Sequence, residues 1–187
     1  MKVIIYDRNP GVDWTNKFLK LCWALGARLQ VLFGVADACY GAGSWNDVYT
    51  WLASLGPCQF ELIQYWGHGS PGCVWLHSRM LRWFEFINVL RPLVTKDTVL
   101  WFRTCNSFRG TSGQEFSRVL ANGLRCTVAG HTRTIGLIQG GLHTRKQDTL
   151  PSWRTSEGEL PDSWLPGYMR WGPNSVWFWQ TKIPEGW

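Results

Sequence analysis

Two side chains with basic and nucleophilic chemistry stand at matching places in this chain. His68 follows the apolar run Phe60-Glu61-Leu62-Ile63-Gln64-Tyr65-Trp66 and lies inside Gly67-His68-Gly69-Ser70-Pro71-Gly72. Cys105 follows Thr98-Val99-Leu100-Trp101-Phe102 by a short step and is succeeded by Asn106-Ser107. A short apolar run closed by turn residues reads as a buried strand. If the two runs are neighbouring parallel strands, His68 and Cys105 emerge side by side at one edge of the sheet. That is the edge at which open α/β sheets build their sites. A thiol with an imidazole in reach is the minimal machinery of a thiol nucleophile, because the base takes the proton and the thiolate attacks.

The elements that must hold this pair can be read along the chain. Residues 2–7 read as a first strand. Residues 13–25 carry Trp14, Phe18, Leu21, Cys22 and Leu25 at helical spacing, and Gly26 reads as the stop. Residues 28–35 read as a second strand, followed by a loop of small residues over 36–44. A helix is expected over 45–55, the third strand over 60–66, and a short strand or hairpin edge over 73–76. A helix over 81–90 stops before Pro92, and the fourth strand covers 98–102. Ser112 with Glu115 three residues on reads as the start of a helix over 112–122, with Phe116, Val119 and Leu120 on its apolar face. A fifth strand is expected over 125–129. Strands alternating with helices predict an α/β fold with a mostly parallel sheet and helices on both faces.

The character of the chain changes near Ile135. Glycines and prolines punctuate the remainder, and six of the 14 tryptophans fall in residues 151–187. We therefore expect a single domain over 1–187, with a core of about 1–135 and a Trp-rich extension over about 136–187, irregular or in short hairpins, clamped onto the domain by its indoles.

Composition narrows the function. The chain has 187 residues, 45% hydrophobic and 17% charged, which suits one globular domain. No apolar run is long enough to span a bilayer, the first residues turn polar too soon for a secretion signal, and no membrane partner is expected. The six cysteines are irregularly spaced without a Cys-x-x-Cys pair, which argues for reduced thiols, a cytoplasmic setting and no zinc ribbon. The net charge of +6 is scattered rather than blocked, and no RNP-like, zinc or helix-turn-helix signature accompanies it. Nucleic acid is therefore disfavoured as a partner. No P-loop, dinucleotide fingerprint or metal-ligand cluster is present, so neither cofactor nor metal is expected. His77 and His143 stand alone and read as residues facing solvent or the extension.

The glycine-flanked His68 after one strand, and Cys105 after the next, resemble the paired motifs of caspase-fold cysteine peptidases. That clan includes caspases, gingipains, clostripain, separase and bacterial CHAT-type proteases. The run from Cys105-Asn106-Ser107 through Gly113-Gln114-Glu115-Phe116 to Val128-Ala129-Gly130 is similar to the bacterial branch. Asn106-Ser107 stands where caspases carry Arg-Gly, which separates the chain from the metazoan members. The resemblance implies a caspase-like three-layer fold and cleavage of a protein or peptide substrate through an acyl-enzyme, in bacterial defence or regulated proteolysis. It also implies Cys105 as nucleophile, His68 as acid and base, and an oxyanion hole from the N–H groups of Gly69 and Cys105. It requires no third catalytic residue. It implies that Arg103, two before the cysteine, lines the pocket for the substrate residue preceding the cut, where a cation would favour an acidic side chain. Asp7, Asp37 and His131 also fall at expected strand ends, and an acidic pocket from Asp7 or Asp37 would favour Arg or Lys instead. The alternative reading of Arg103 is a cation held by a structural carboxylate. Many clan members stay latent until a regulator or larger complex arrives.

Two other classes compete. A catalytically inactive scaffold or binding module of the same fold would carry no unusually reactive thiol. A nucleic-acid binder using Arg and Trp would weaken steeply with salt. Among the other cysteines, Cys39 is the one credible rival nucleophile, since the expected elements put it in a loop at the same sheet edge.

Overall fold

The computed structural model describes residues 1–9, 11, 14–56, 59–158, 172, 174–185 and 187. Cys58, Trp164 and Trp171 lie outside them, as do Asp13 and Pro57 at the ends of two expected helices.

A six-stranded sheet forms the centre. Its parallel strands are β1 (Lys2–Asp7), β2 (Ala38–Ala42), β3 (Leu62–Trp66), β7 (Val99–Arg103) and β8 (Thr127–His131). The sixth, β10 (Leu142–Arg145), runs antiparallel to β8, and the spatial order is β10-β8-β7-β3-β1-β2. Alternation along each strand sorts side chains to two faces. Val3, Ile5, Ile63, Tyr65, Leu100, Phe102 and Val128 point to one face, while Ile4, Tyr6, Trp66, Trp101 and Ala129 point to the other.

Three helices cover the first face: α2 (Trp45–Ser54), α3 (Trp83–Leu90) and α4 (Gly110–Leu124). Val48, Leu52, Phe86, Leu90, Phe116 and Leu120 supply its apolar packing. Helix α1 (Trp14–Leu32) lies on the second face through Ala27, and the C-terminal extension covers the rest of that face through Val176. The α/β class with a mostly parallel sheet and helices on both faces is as expected.

Three elements differ from the sequence reading. Residues 28–35 do not form a strand, because α1 continues through them to Leu32. A short apolar run such as Leu29-Gln30-Val31-Leu32 has no periodicity of its own that separates helix from strand. Gly26 does not stop the helix. It lies mid-helix because a Cβ there would meet the Phe178 ring at 2.7 Å. The true β2 falls within the stretch read as a loop; its Gly41 lies beneath the Tyr6 ring, 2.8 Å from where a Cβ would stand.

The extension carries short antiparallel strands. It supplies β10 to the central sheet, and β9 (Ile138–Gln139) pairs with β11 (Val176–Trp177). Trp153 does clamp it: the indole stacks on Phe108 and His143 and donates to the Phe108 carbonyl.

Beyond β3 the chain leaves the main sheet and forms a small antiparallel one from β4 (His68–Ser70), β5 (Cys73–Leu76) and β6 (Arg79–Met80). Tyr65 Oη donates to the Trp75 carbonyl and ties the two sheets together.

Phe102 is fully buried and packs on Tyr65, Phe86 and Phe116, so it joins β7 to α3 and α4. Phe102→Ala is expected to cost about 3–5 kcal/mol in urea unfolding with an unchanged m-value. A loss under about 1 kcal/mol would contradict this packing.

Candidate active site

Parallel pairing in register brings the two motifs together. β3 and β7 are neighbours, and their last paired residues are Trp66 and Arg103. Two residues further along each strand are His68 and Cys105. Gly69 rests directly against the thiol residue's backbone: a Cβ on it would lie 2.6 Å from the Cys105 carbonyl oxygen and 2.7 Å from Thr104 Oγ1. Any side chain at 69 would therefore push the two strand ends apart.

Each motif turns sharply as it leaves the sheet. Asn106 takes a left-handed conformation (φ 57°), which asparagine tolerates better than most residues. Its N–H donates to the Arg133 carbonyl and its side chain to Thr134 Oγ1, so Cys105 sits on a pinned turn ahead of α4. That helix begins at Gly110, two residues before the expected Ser112 cap.

His68 has a partner that the sequence reading missed. Its Nε2 lies 2.9 Å from Asn16 Oδ1, and the Trp23 ring meets the imidazole edge-on with centroids 5.4 Å apart. An amide oxygen only accepts, so Nε2 donates, and Nδ1 keeps the lone pair that can take a proton. Asn16 stands in the first turn of α1, just after β1, at the same sheet edge. Its position there was the available signal, since residues following parallel strands converge at that edge.

The Cys105 thiol is enclosed. Ile135 N–H donates to Sγ at 3.5 Å, and the thiol points to the Ile135 carbonyl at 3.9 Å. Burial pushes the thiol pKa up, and the Ile135 backbone contact offsets part of this. The resting group is thus a protonated thiol whose hydrogen bonds, among the described residues, go to the connection after β8.

Arg103 is buried on the second face of the sheet. Its Nε donates to Gln139 Oε1, Nη1 to Gln64 Oε1, and Nη2 to the carbonyls of Trp177 and Phe178. The guanidinium lies 4.5 Å from the Trp101 ring centroid, 5.3 Å from Trp66 and 5.5 Å from Phe178. It is held by neutral acceptors and aromatic faces rather than by the structural carboxylate considered from sequence. Burial lowers its pKa to about 9, which keeps it charged at neutral pH. A substrate carboxylate would reach it only after the extension moved aside.

The other expected lining residues separate. Asp7 is at the right edge, but its carboxylate accepts from Asn9 N–H and His77 N–H and holds the turn before β6. Asp37 is at the opposite edge, because β2 begins after it rather than ending before it; it accepts from Lys2 N–H. His131 is fully buried, with Trp101 Nε1 donating to its Nε2 and Nδ1 bonded to the Gly140 carbonyl. Cys39 lies within β2, paired with Ile4, which removes it from the site edge. Of the two surroundings expected for His143, solvent or the extension, the structure gives the extension: the ring is buried and bonds Glu157 at 2.6 Å.

Among the described residues all five cysteines are free thiols, and no group of three or more His, Cys, Asp or Glu is placed to hold a metal ion. No described helix is long and apolar enough to cross a membrane.

Two titrations follow. Burial pushes the His131 pKa down to about 3. The unfolded chain binds a proton near the ordinary value of about 6.5, so stability is full above that pH and is lost as pH falls toward 3. His131→Gln is expected to flatten this slope in urea unfolding across that range; an unchanged slope would contradict it. Second, alkylation of Cys105 by iodoacetamide in the resting chain is expected to be slow at mildly acidic pH and to rise with pH. Cys126, pushed up to about 12 by burial, should react more slowly still. Fast labelling of Cys105 at acidic pH, read by peptide mass spectrometry, would mean that the thiolate already exists at rest.

No protein-family model matches the chain, and no curated protein matches its sequence.

Proposed function

We propose that the chain is a cysteine endopeptidase of caspase-like fold that cleaves a protein or peptide substrate through Cys105 and His68. The observation that carries this reading is the placement of both residues just past the ends of adjacent parallel strands, with Gly69 packed on the Cys105 backbone. The order β2-β1-β3-β7-β8, with an antiparallel strand at the β8 edge, is consistent with it.

The chemistry runs in two halves. Cys105 Sγ attacks the scissile carbonyl carbon while its proton passes to His68 Nδ1. The oxyanion forms against the N–H groups of Gly69 and Cys105. The carbon–nitrogen bond then breaks as His68 returns the proton to the leaving amine, which leaves a thioester on Cys105. Water, deprotonated by His68, hydrolyses the thioester and restores the thiol. Asn16 acts as a positioning residue: by holding Nε2–H it fixes the ring and the tautomer. The partly buried, protonated resting thiol gives a latent state in which the Ile135 connection must shift before His68 can engage Sγ. This agrees with activation by a regulatory partner or a larger complex. A reducing, cytoplasmic setting suits the free thiols, and the role proposed is regulated proteolysis or bacterial defence.

The test is turnover of a fluorogenic peptide library. Cys105→Ala and His68→Ala are each expected to lower it by about 1,000-fold or more with unchanged circular dichroism. Asn16→Ala is expected to lower kcat by roughly 10- to 100-fold and displace the pH–rate profile, with KM and Tm little changed. Retained turnover in Cys105→Ala would end the proposal. Turnover absent from the wild type under every activating condition would favour the inactive scaffold.

A further inference from the structure

Helix α1 is apolar on two opposite faces. Ala27 and the half-buried Trp23 turn inward to pack with Ile4 and Trp66. On the other side Phe18, Leu21, Leu25 and Leu32, with Phe33 just beyond the helix end, are 54–75% exposed. Positions 18, 21, 25 and 32 recur at helical spacing and form one outward stripe. These include the residues whose periodicity first marks the helix in the sequence. A helix apolar on two faces ordinarily has both covered, and a patch of this kind on a protein surface marks an interaction site.

The charge of the same element selects the occupant. From Trp14 to Ala36 the sequence carries Lys17, Lys20 and Arg28 and no Asp or Glu. Lys17 is four residues before Leu21 and Arg28 three after Leu25, so both exposed cations line the apolar stripe. A second copy of the chain, packed stripe to stripe, would bring two sets of cations together with no carboxylate on either helix. An anionic lipid surface satisfies both features, because apolar side chains enter the acyl boundary while Lys and Arg reach the headgroups.

We infer that the outward face of α1 docks the protein onto an anionic lipid bilayer, lying in its surface without crossing it. The expectation of no membrane partner rests on the lack of a spanning run, and a surface helix needs none. The docking does not depend on the peptidase reading. The two are nonetheless neighbours in space, since Asn16 and Trp23 of this helix hold His68.

The test is co-sedimentation of the full chain with phosphatidylcholine vesicles, with and without about one-third phosphatidylserine. Binding is expected to be at least ~10-fold tighter with phosphatidylserine and to weaken as salt rises. The triple variant Phe18→Ser, Leu21→Ser, Leu25→Ser is expected to lose it by at least ~100-fold with an unchanged circular dichroism spectrum. Lys17→Glu with Arg28→Glu is expected to abolish the preference for phosphatidylserine. Absence of vesicle binding, equal binding to both vesicles, or binding that the triple variant leaves intact would each overturn the inference. So would a dimer in light scattering that the triple variant dissolves and that binds no vesicles, since a second copy would then cover the face.

Discussion

The parallel pairing of β3 with β7 is the constraint on which the rest of the site depends. Its register puts Tyr65 and Phe102 into the apolar layer beneath α3 and α4, and Trp66 and Arg103 on the opposite face. A slip of one residue would drive Arg103 into the space of Phe102, among apolar and aromatic side chains, and put Phe102 on the opposite face among the acceptors that hold Arg103. The hydrophobic pattern therefore fixes the register strongly, and the register fixes where each strand ends. His68 and Cys105 stand just past neighbouring strand ends because the layers on both sides of the sheet permit no other alignment. Gly69 completes the approach, as its missing side chain lets β4 lie on the Cys105 backbone.

The second face carries a consequence of the same register. Arg103 is a buried cation whose charge is spread over three aromatic rings and four hydrogen bonds. Three of those bonds go to the extension, to Gln139, Trp177 and Phe178, so the buried charge ties the last strand to the core. Gln139, which accepts from Arg103, lies a few residues after Ile135, which contacts Cys105. Leu137 between them accepts from Phe178 N–H. One short connection thus joins the thiol, the buried arginine and the extension. Movement of the extension has a direct route to the Cys105 environment, and the latency in the proposed mechanism would rest on that linkage.

Much of this was legible in the sequence, for physical reasons that can be named. β1, β3 and β7 announce themselves as short apolar runs closed by turn residues, and α4 by its apolar spacing. The glycines around His68 mark the turn into the small sheet. Other parts depended on contacts distant in sequence. Gly26 looks like a helix stop until Phe178 is seen packed against it. Ala38-Cys39-Tyr40-Gly41-Ala42 reads as a loop because its residues are small, and they are small partly because the Tyr6 ring occupies the space over Gly41. With β2 misplaced, Asp37 and Cys39 were assigned to the wrong edge. Asn16 offers only its position after β1 as a signal, and the folded chain alone sets it against His68. Arg103 was legible as a residue facing something important, but the acceptors that hold it come from the extension, whose strands are only two to four residues long.

The central claim is that Cys105 and His68 act as one nucleophilic unit. The most direct measurement is intact-mass and peptide-map analysis after reaction with a peptidyl acyloxymethyl ketone, an electrophile that a thiol activated within a substrate site attacks. The account predicts a single adduct, on Cys105, formed in the wild type under activating conditions and lost in His68→Ala under the same conditions. An adduct on another cysteine, or equal labelling of Cys105 in His68→Ala, would contradict it.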